Sequence, residues 1–404
     1  MGIIRSIFPL EVLSRITQYL SIKDIKRLMC ASDGIRKAIE ANPIIWKQKL
    51  KERERDCTNG NYLVEVKKEC ILTHSWIKNI GNSTNSIKHT PNCEITKITA
   101  YGDMIVVSSN STHLYVLDKS LGYIRKLKQA KGSIWTFDYA NNVLVSGSTD
   151  KSVRVWDIFL GISIKTLSEH KSTVRTVLLA DKYVISGSRD STIRVWDLNT
   201  GGVIHALNGH TGSIRDMVTV KNKSLLISGS YDGTCILWNY RTGEGIRYLI
   251  KLSRRIYKVQ CIGDWVAVGG MDQKLHVVTL DGNHVFSSAA QNGTIFQIKA
   301  DSEQYIYTLT ANGTVSKWNV RKKEQVYQID THTKAIDIYI INHLLVVGLI
   351  DRIDLYCREK GIFIRTVAVI DMLYSVYCDN TVLIYGYKDN GLCKLTSIQY
   401  KNIL

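Results

Sequence analysis

Arg175 and Arg215 occupy corresponding places in adjacent copies of a repeated sequence, and Arg189 lies in the S-G-S-x-D turn of the first. If the repeats stack in a ring, all three reach one face. Like charges held together in this way repel unless an anion joins them. A phosphoserine or phosphothreonine carries about −1.5 to −2 charges and three acceptor oxygens. The planar, bidentate donors of arginine match those oxygens. Trp135, Tyr231 and Tyr257 recur at the same places and offer flat walls for a flanking peptide. The chemistry indicated is capture of a phosphorylated segment by an arginine cluster. No constellation for catalysis accompanies it. The sequence has no Gly-rich phosphate loop, no H-E-x-x-H, no nucleophile elbow and no E-x-x-H pair. A non-enzymatic receptor is expected, with no cofactor and no metal.

The elements that must position these residues are legible in the repeat. VSGSTDKSVRVWD, ISGSRDSTIRVWD and ISGSYDGTCILWN place Ser148, Ser188 and Ser230 at intervals of 40 and 42 residues. Weaker copies follow around Gly270, Thr310, Leu349 and Tyr387, and VVSSNSTHLYVLD precedes the first strong one. S-G-S-x-D followed by W-D at this period is the WD-repeat signature, four strands to a propeller blade. Eight units are expected. The alternation in V-R-V-W-D predicts a strand, and Asp150, Asp190 and Asp232 suit the tight turn before it. The starts of the innermost strands are read as Lys97, Trp135, Arg175, Arg215, Tyr257, Phe296, Asp337 and Tyr374. The last unit lacks a fourth strand, and Ser86–Thr90 is the expected donor that closes the ring. By resemblance to WD repeats, His170, Asp190, Ser186 and Trp196 form one structural relay. His210, Asp232, Ser228 and Trp238 form a second.

The N-terminal segment has a different period. Leu10, Leu13, Ile16, Tyr19 and Leu20 fall at helical spacing, Ser21 and Asp24 signal a second helix, and Pro43 marks a boundary. Phe-Pro-x-Glu-Val-Leu, then Tyr-Leu, Asp-Ile and Trp46-Lys, resembles the F-box over about residues 6–50. The resemblance implies an all-α F-box at 1–50, a helical linker at 51–85 and an all-β propeller of eight repeats at 86–404. In the linker, Ile71, Trp76, Ile77 and Ile80 are available for packing on the propeller. The resemblance also implies that Pro9, Leu10, Leu13, Ile16, Leu20, Ile25, Leu28 and Trp46 meet a Skp-type adaptor and, through it, a cullin-RING ubiquitin ligase.

GSIWTF, HKSTVRT, SGSRDSTIRVWD and GSIRD further resemble the Fbw-type phosphodegron receptors, which are eight-bladed substrate subunits of SCF ubiquitin ligases. That resemblance implies that Arg175, Arg189 and Arg215 bind the phosphate of a Thr/Ser-Pro degron. Ser172 and Thr173 would lie beside it, with Trp135 and Tyr231 lining the peptide groove. Tyr257 and Lys388 match further pocket positions, Lys388 standing where the family has arginine.

Bulk composition sets the frame. Hydrophobic residues make up 45% and charged residues 22% of the 404, as in a soluble domain. No apolar run is long enough to span a membrane. Nine scattered cysteines without a C-x-x-C pair indicate reduced thiols, hence an intracellular protein of nucleus or cytoplasm. The net charge of +17 suits an acidic partner. Two alternatives stand beside the phosphodegron receptor: an F-box receptor for an unphosphorylated protein, and a basic scaffold or nucleic-acid binder. Nucleic acid ranks last, because the basic residues are not interleaved with aromatics as in strand-binding platforms.

Overall fold

Both faces of a propeller's middle strands are covered, one by each neighbouring blade, and the burial of the repeats shows this directly. Along Val153–Asp157, Val155 and Trp156 point to opposite sides and both are buried. Trp156 packs toward the preceding blade, and Val153 and Val155 toward the next. The computed structural model describes residues 83–88 and 94–399, except 120, 129–130, 141, 222 and 302–303. They form eight antiparallel four-stranded sheets. Eight buried apolar clusters lie between them, each shared by two successive blades. The F-box positions Pro9 to Trp46 and linker residues 51–82 lie outside the described residues.

Seven blades take their four strands from consecutive sequence, beginning with Ile95–Tyr101, Met104–Ser109, His113–Asp118 and Tyr123–Lys128. The eighth is composite. Its three inner strands are Met372–Cys378, Val382–Asp389 and Leu392–Gln399, and its outer strand is Ser83–Lys88. Ser83 pairs with Gln399 and Lys88 with Lys394, so both ends of the domain share one sheet. The closing strand therefore starts at Ser83 rather than Ser86. It hides an edge that would otherwise present unpaired amides.

The middle glycine of each S-G-S triplet docks one blade on the next. A Cβ on Gly187 would lie 2.6 Å from Ile214 Cγ2, and one on Gly147 would lie 2.6 Å from Val174 Cγ1. Val174 and Ile214 are the first residues of the next innermost strands, immediately before Arg175 and Arg215. The absence of a side chain at the glycine thus sets where the arginine on the adjacent blade emerges.

The two relays have continuous hydrogen bonding. In the third blade, Trp196 Nε1 donates to Ser186 Oγ at 2.8 Å. Ser186 Oγ lies 2.8 Å from His170 Nε2, and His170 Nδ1 lies 2.9 Å from Asp190 Oδ2. In the fourth, the corresponding distances through Trp238, Ser228, His210 and Asp232 are 2.8, 2.7 and 3.0 Å. Donor matching assigns Nδ1–H to the carboxylate and leaves Nε2 to accept from serine. The sixth blade substitutes Thr308 and Gln291: Trp318 Nε1 donates to Thr308 Oγ1 at 3.1 Å, and Thr308 donates to Gln291 Oε1 at 2.8 Å. The relay tolerates this change because it needs only a buried acceptor behind the hydroxyl.

Burial pushes the Asp190 carboxyl up, but hydrogen bonds from Thr192 and Lys171 outweigh it and hold the pKa down at about 2. A depressed carboxylate pKa contributes stability above its unfolded value of about 3.9, and that stability is lost as pH falls through about 2. Asp190→Asn should therefore flatten the acid limb of a stability profile between those values. His170→Ala should cost about 2–4 kcal/mol, since it strands Ser186 and Asp190. Urea denaturation of both variants across pH checks the pair.

Candidate functional site

Every innermost strand begins with a register shift. Pairing with the next strand skips one residue between Ile95 and Lys97, Ile134 and Thr136, Val174 and Thr176, and Ile214 and Asp216. The same skip falls between Ile256 and Lys258, Ile295 and Gln297, Ala335 and Asp337, and Leu373 and Ser375. A bulge of this kind turns the extra residue away from the sheet. The bulged set is Thr96, Trp135, Arg175, Arg215, Tyr257, Phe296, Ile336 and Tyr374. Two positions assigned from sequence are thereby corrected. Lys97 and Asp337 each sit one residue beyond the bulge, in the next layer down, and Thr96 and Ile336 take their places. The sequence is ambiguous there because Thr-Lys and Ile-Asp both alternate acceptably.

The bulged residues of the second to fifth blades surround the mouth of a central cavity of ≈ 620 Å³. Trp135, Arg175, Arg215 and Tyr257 all line it. Trp135 is 42% exposed, enough for an incoming ligand to cover. The Arg175 guanidinium carbon stands 5.0 Å from the Trp135 ring centre, and that of Arg215 stands 5.9 Å from Tyr257. Arg189 and Tyr231 follow in the adjoining turns, fixed by backbone bonds to Thr173 (2.9 Å) and Ser213 (2.9 Å). Tyr231 and Tyr257 are 5.1 Å apart, ring centre to ring centre.

The electrostatics bind this group together. Burial lowers the pKa of the half-buried Arg175, and the charges of Arg189 and Arg215 lower it further. Among the described residues, no carboxylate forms an ion pair with Arg175, Arg189 or Arg215. Of the two carboxylates adjacent to them in sequence, Asp190 is taken by His170 Nδ1 at 2.9 Å and Asp216 by Lys258 Nζ at 3.0 Å.

The remaining expected residues are placed as follows. Ser172 accepts from Ser188 Oγ at 3.0 Å through its carbonyl, and Thr173 accepts from the Arg189 amide, so both hold the turn by backbone. Lys388 lies on the eighth blade opposite Met372, exposed, and no contact among the described residues links it to the arginines. Sequence reasoning missed Arg255, whose guanidinium carbon is 5.2 Å from the Tyr231 ring. Its signal was the Arg-Arg pair just before the fifth innermost strand. No cluster of three or more His, Cys, Asp or Glu suited to a metal occurs among the described residues.

Comparison with known proteins agrees with this architecture. The family described as WD domain, G-beta repeat matches residues 122–157, 161–197 and 201–239. Each match takes the outer strand of one blade and three strands of the next. This stagger explains why the ring needs a strand from the other end of the domain to close. WD repeat-containing protein pop1 of Schizosaccharomyces pombe is 44% identical over 68 residues, 17% of this chain and 9% of that protein. Cell division control protein 4 of Saccharomyces cerevisiae is 25% identical over 175 residues, 38% of this chain and 22% of that protein. The matches thus span under a quarter of these relatives' length. The crystal structure of the computationally designed Ika8 protein shares the fold, with a TM-score of 0.69 at 19% identity over 77% of this chain and 97% of that one.

Just below the mouth, burial draws the pKa of Lys97 down to about 8; Asp138 opposes the shift, and Lys258 and Lys299 reinforce it. A lysine with a lowered folded pKa destabilises the fold wherever both states are protonated, here below about pH 8. That cost disappears as pH rises toward the unfolded value near 10.5. Lys97→Met should therefore raise the unfolding free energy at pH 7 by about 1–3 kcal/mol and remove part of the rise seen in wild type between pH 8 and 10.5. Denaturant titrations at paired pH values measure the difference.

Proposed function

We propose that this propeller of WD40 repeats, a protein-interaction scaffold, is the substrate-recognition end of an SCF-type ubiquitin ligase subunit. In this reading the top face captures targets phosphorylated at Thr/Ser-Pro. The carrying observation is that Arg175, Arg189 and Arg215 share one electrostatic neighbourhood, with no carboxylate paired to them among the described residues. An anion of charge near −2 relieves their repulsion and accepts their bidentate hydrogen bonds. Trp135, Tyr231 and Tyr257 supply walls for the residues on either side, and Arg255, stacked on Tyr231, widens the positive rim. Ser172 and Thr173 would border the phosphate, and Lys388 would meet a more distant acidic residue of a longer target.

The ligase half of the proposal rests on the F-box resemblance of residues 6–50. Pro9, Leu10, Leu13, Ile16, Leu20, Ile25, Leu28 and Trp46 would dock on a Skp-type adaptor, within the nucleus or cytoplasm. The chain would then act by holding a target near the ligase's transfer machinery, raising effective concentration rather than doing chemistry.

Fluorescence anisotropy with a phospho-Thr-Pro peptide and its unphosphorylated twin tests the capture half. Binding should require the phosphate. Arg175→Ala should weaken it by about 2–5 kcal/mol, the loss of one desolvated charge partner. Equal affinity for the two peptides would reject phosphate recognition. Co-purification with a Skp-type adaptor, lost in Leu13→Asp, tests the other half separately.

A further inference from the structure

The loop that enters the fifth blade carries two arginines outside the central cavity. Arg254 and Arg255 are exposed, and neither lines that cavity. Two glycines clamp the backbone of this loop to the turns on either side. A Cβ on Gly233, in the turn of the fourth blade, would lie 2.2 Å from the Leu252 carbonyl oxygen and 3.0 Å from that of Arg254. Gly270 pairs with Ile256 as Ser230 pairs with Ile214 one blade earlier, and a Cβ there would lie 2.1 Å from the Arg255 carbonyl oxygen. The same carbonyl accepts from the Met271 amide at 2.9 Å. Both side chains therefore leave from a fixed backbone.

Arg255 lies over the tyrosines of the mouth. Its guanidinium carbon is 5.2 Å from the Tyr231 ring centre, Tyr231 is 5.1 Å from Tyr257, and Tyr257 is 5.9 Å from the guanidinium carbon of Arg215. These stacking distances keep Arg255 and Arg215 within the span of about five residues of extended chain. Among the described residues, neither Arg254 nor Arg255 forms an ion pair. The carboxylates of the flanking turns are bonded within their own blades. Asp232 meets His210 Nδ1 at 3.0 Å, and Asp272 meets His276 Nε2 at 2.6 Å. Their other oxygens accept from the Thr234 amide at 2.8 Å and the Lys274 amide at 3.3 Å.

We propose that Arg255, with Arg254 beside it, is a second anion subsite on the top face, set apart from Arg215 by the Tyr231–Tyr257 pair. It takes an acidic or phosphorylated side chain of the same target, no more than about five residues from the first phosphate. A guanidinium lying over a ring still presents its N–H edge to a carboxylate or phosphate. The two tyrosines between the subsites suit an apolar stretch, so the motif read is anion, apolar residues, anion. The inference rests on the phosphopeptide reading and narrows the class of target within it.

The test is fluorescence anisotropy with the full chain and a parent peptide that carries a single phospho-Thr-Pro. Its derivatives place one Glu, or one phospho-Ser, at successive positions up to about five residues on either side. On one side the added anion should raise affinity about tenfold over the parent. Arg255→Gln keeps a planar group over Tyr231 but loses the charge. It should cancel the gain and leave affinity for the parent peptide within about twofold of wild type. Arg254→Gln should cancel part of the gain. Lys251→Gln serves as the charge control, since its amine is held over Tyr248 at 4.0 Å, and it should leave the gain intact. Equal gains from Glu and phospho-Ser identify an acidic side chain as sufficient, whereas a gain from phospho-Ser alone identifies a second phosphate. Phosphate-dependent binding of the parent with no gain from either anion overturns the subsite and leaves phosphate capture standing. A gain that persists with both arginines changed puts the second anion elsewhere and overturns it as well. Equal loss of parent and derivatives in Arg255→Gln makes that residue a support for the tyrosines and likewise rejects the subsite. Indifference to the first phosphate removes both readings together.

Discussion

The closeness of one blade to the next governs everything this molecule presents at its top face. The middle glycine of each S-G-S triplet leaves a gap that the next blade's first apolar residue fills. A methyl group on Gly187 would overlap Ile214. Because the seated residue and the bulged residue are consecutive, the contact that builds the core also fixes the site. Ile214 is fully buried and Arg215 emerges directly after it. A shift of one blade against another would move a guanidinium by the same amount. The relays of the third and fourth blades matter to function for that reason. They fasten the loop before each innermost strand to the strands behind it, so Arg175 and Arg215 start from rigid ground.

Much of this was legible in the sequence, since its period and its chemistry agree. The S-G-S-x-D turn, the V-R-V-W-D alternation and the spacing near 40 residues all specify the same blade. Agreement across levels is what makes a sequence readable. The late copies were harder. The unit around Thr310 keeps its tryptophan, yet replaces serine by Thr308 and histidine by Gln291. Hydrogen-bonding capacity is conserved there while residue identity is not, so a pattern based on identity fades where the fold does not. The closing strand was legible as a need rather than a place. Its outer-strand residues carry little alternation, and the pairing of Ser83 with Gln399 depends on the far end of the domain.

The positions expected around the mouth were read with an imperfect phase. Six of the expected positions stand at the mouth or in its adjoining turns, because strong repeats fixed their register. Lys97 and Asp337 fell one layer too high. A bulge adds a residue to one strand only, and nothing in a weak repeat shows which of two neighbours is the extra one. The shift changes the chemistry of the mouth. Without Lys97 and Asp337 it holds Thr96 and Ile336, so its charge is concentrated on the third and fourth blades, and Phe296, Ile336 and Tyr374 make much of the other side apolar.

Net charge is a poor guide to function in this protein, and the structure explains why. Of the basic side chains, many are balanced locally: Arg241 by Asp181, Arg194 by Glu169, Lys258 by Asp216. Such pairs raise the count of basic residues without creating a field that a partner could sense. The cations that matter are those that the fold holds near one another and leaves without carboxylates. Among the described residues, Arg175, Arg189 and Arg215 form that set at the mouth. In the proposed reading their mutual repulsion is present before a ligand arrives, and an anion that enters relieves it without a reorganisation of the backbone. An unordered basic surface of the same charge would have to gather its cations first, and this difference favours a compact, multiply charged ligand over a long uniform polyanion.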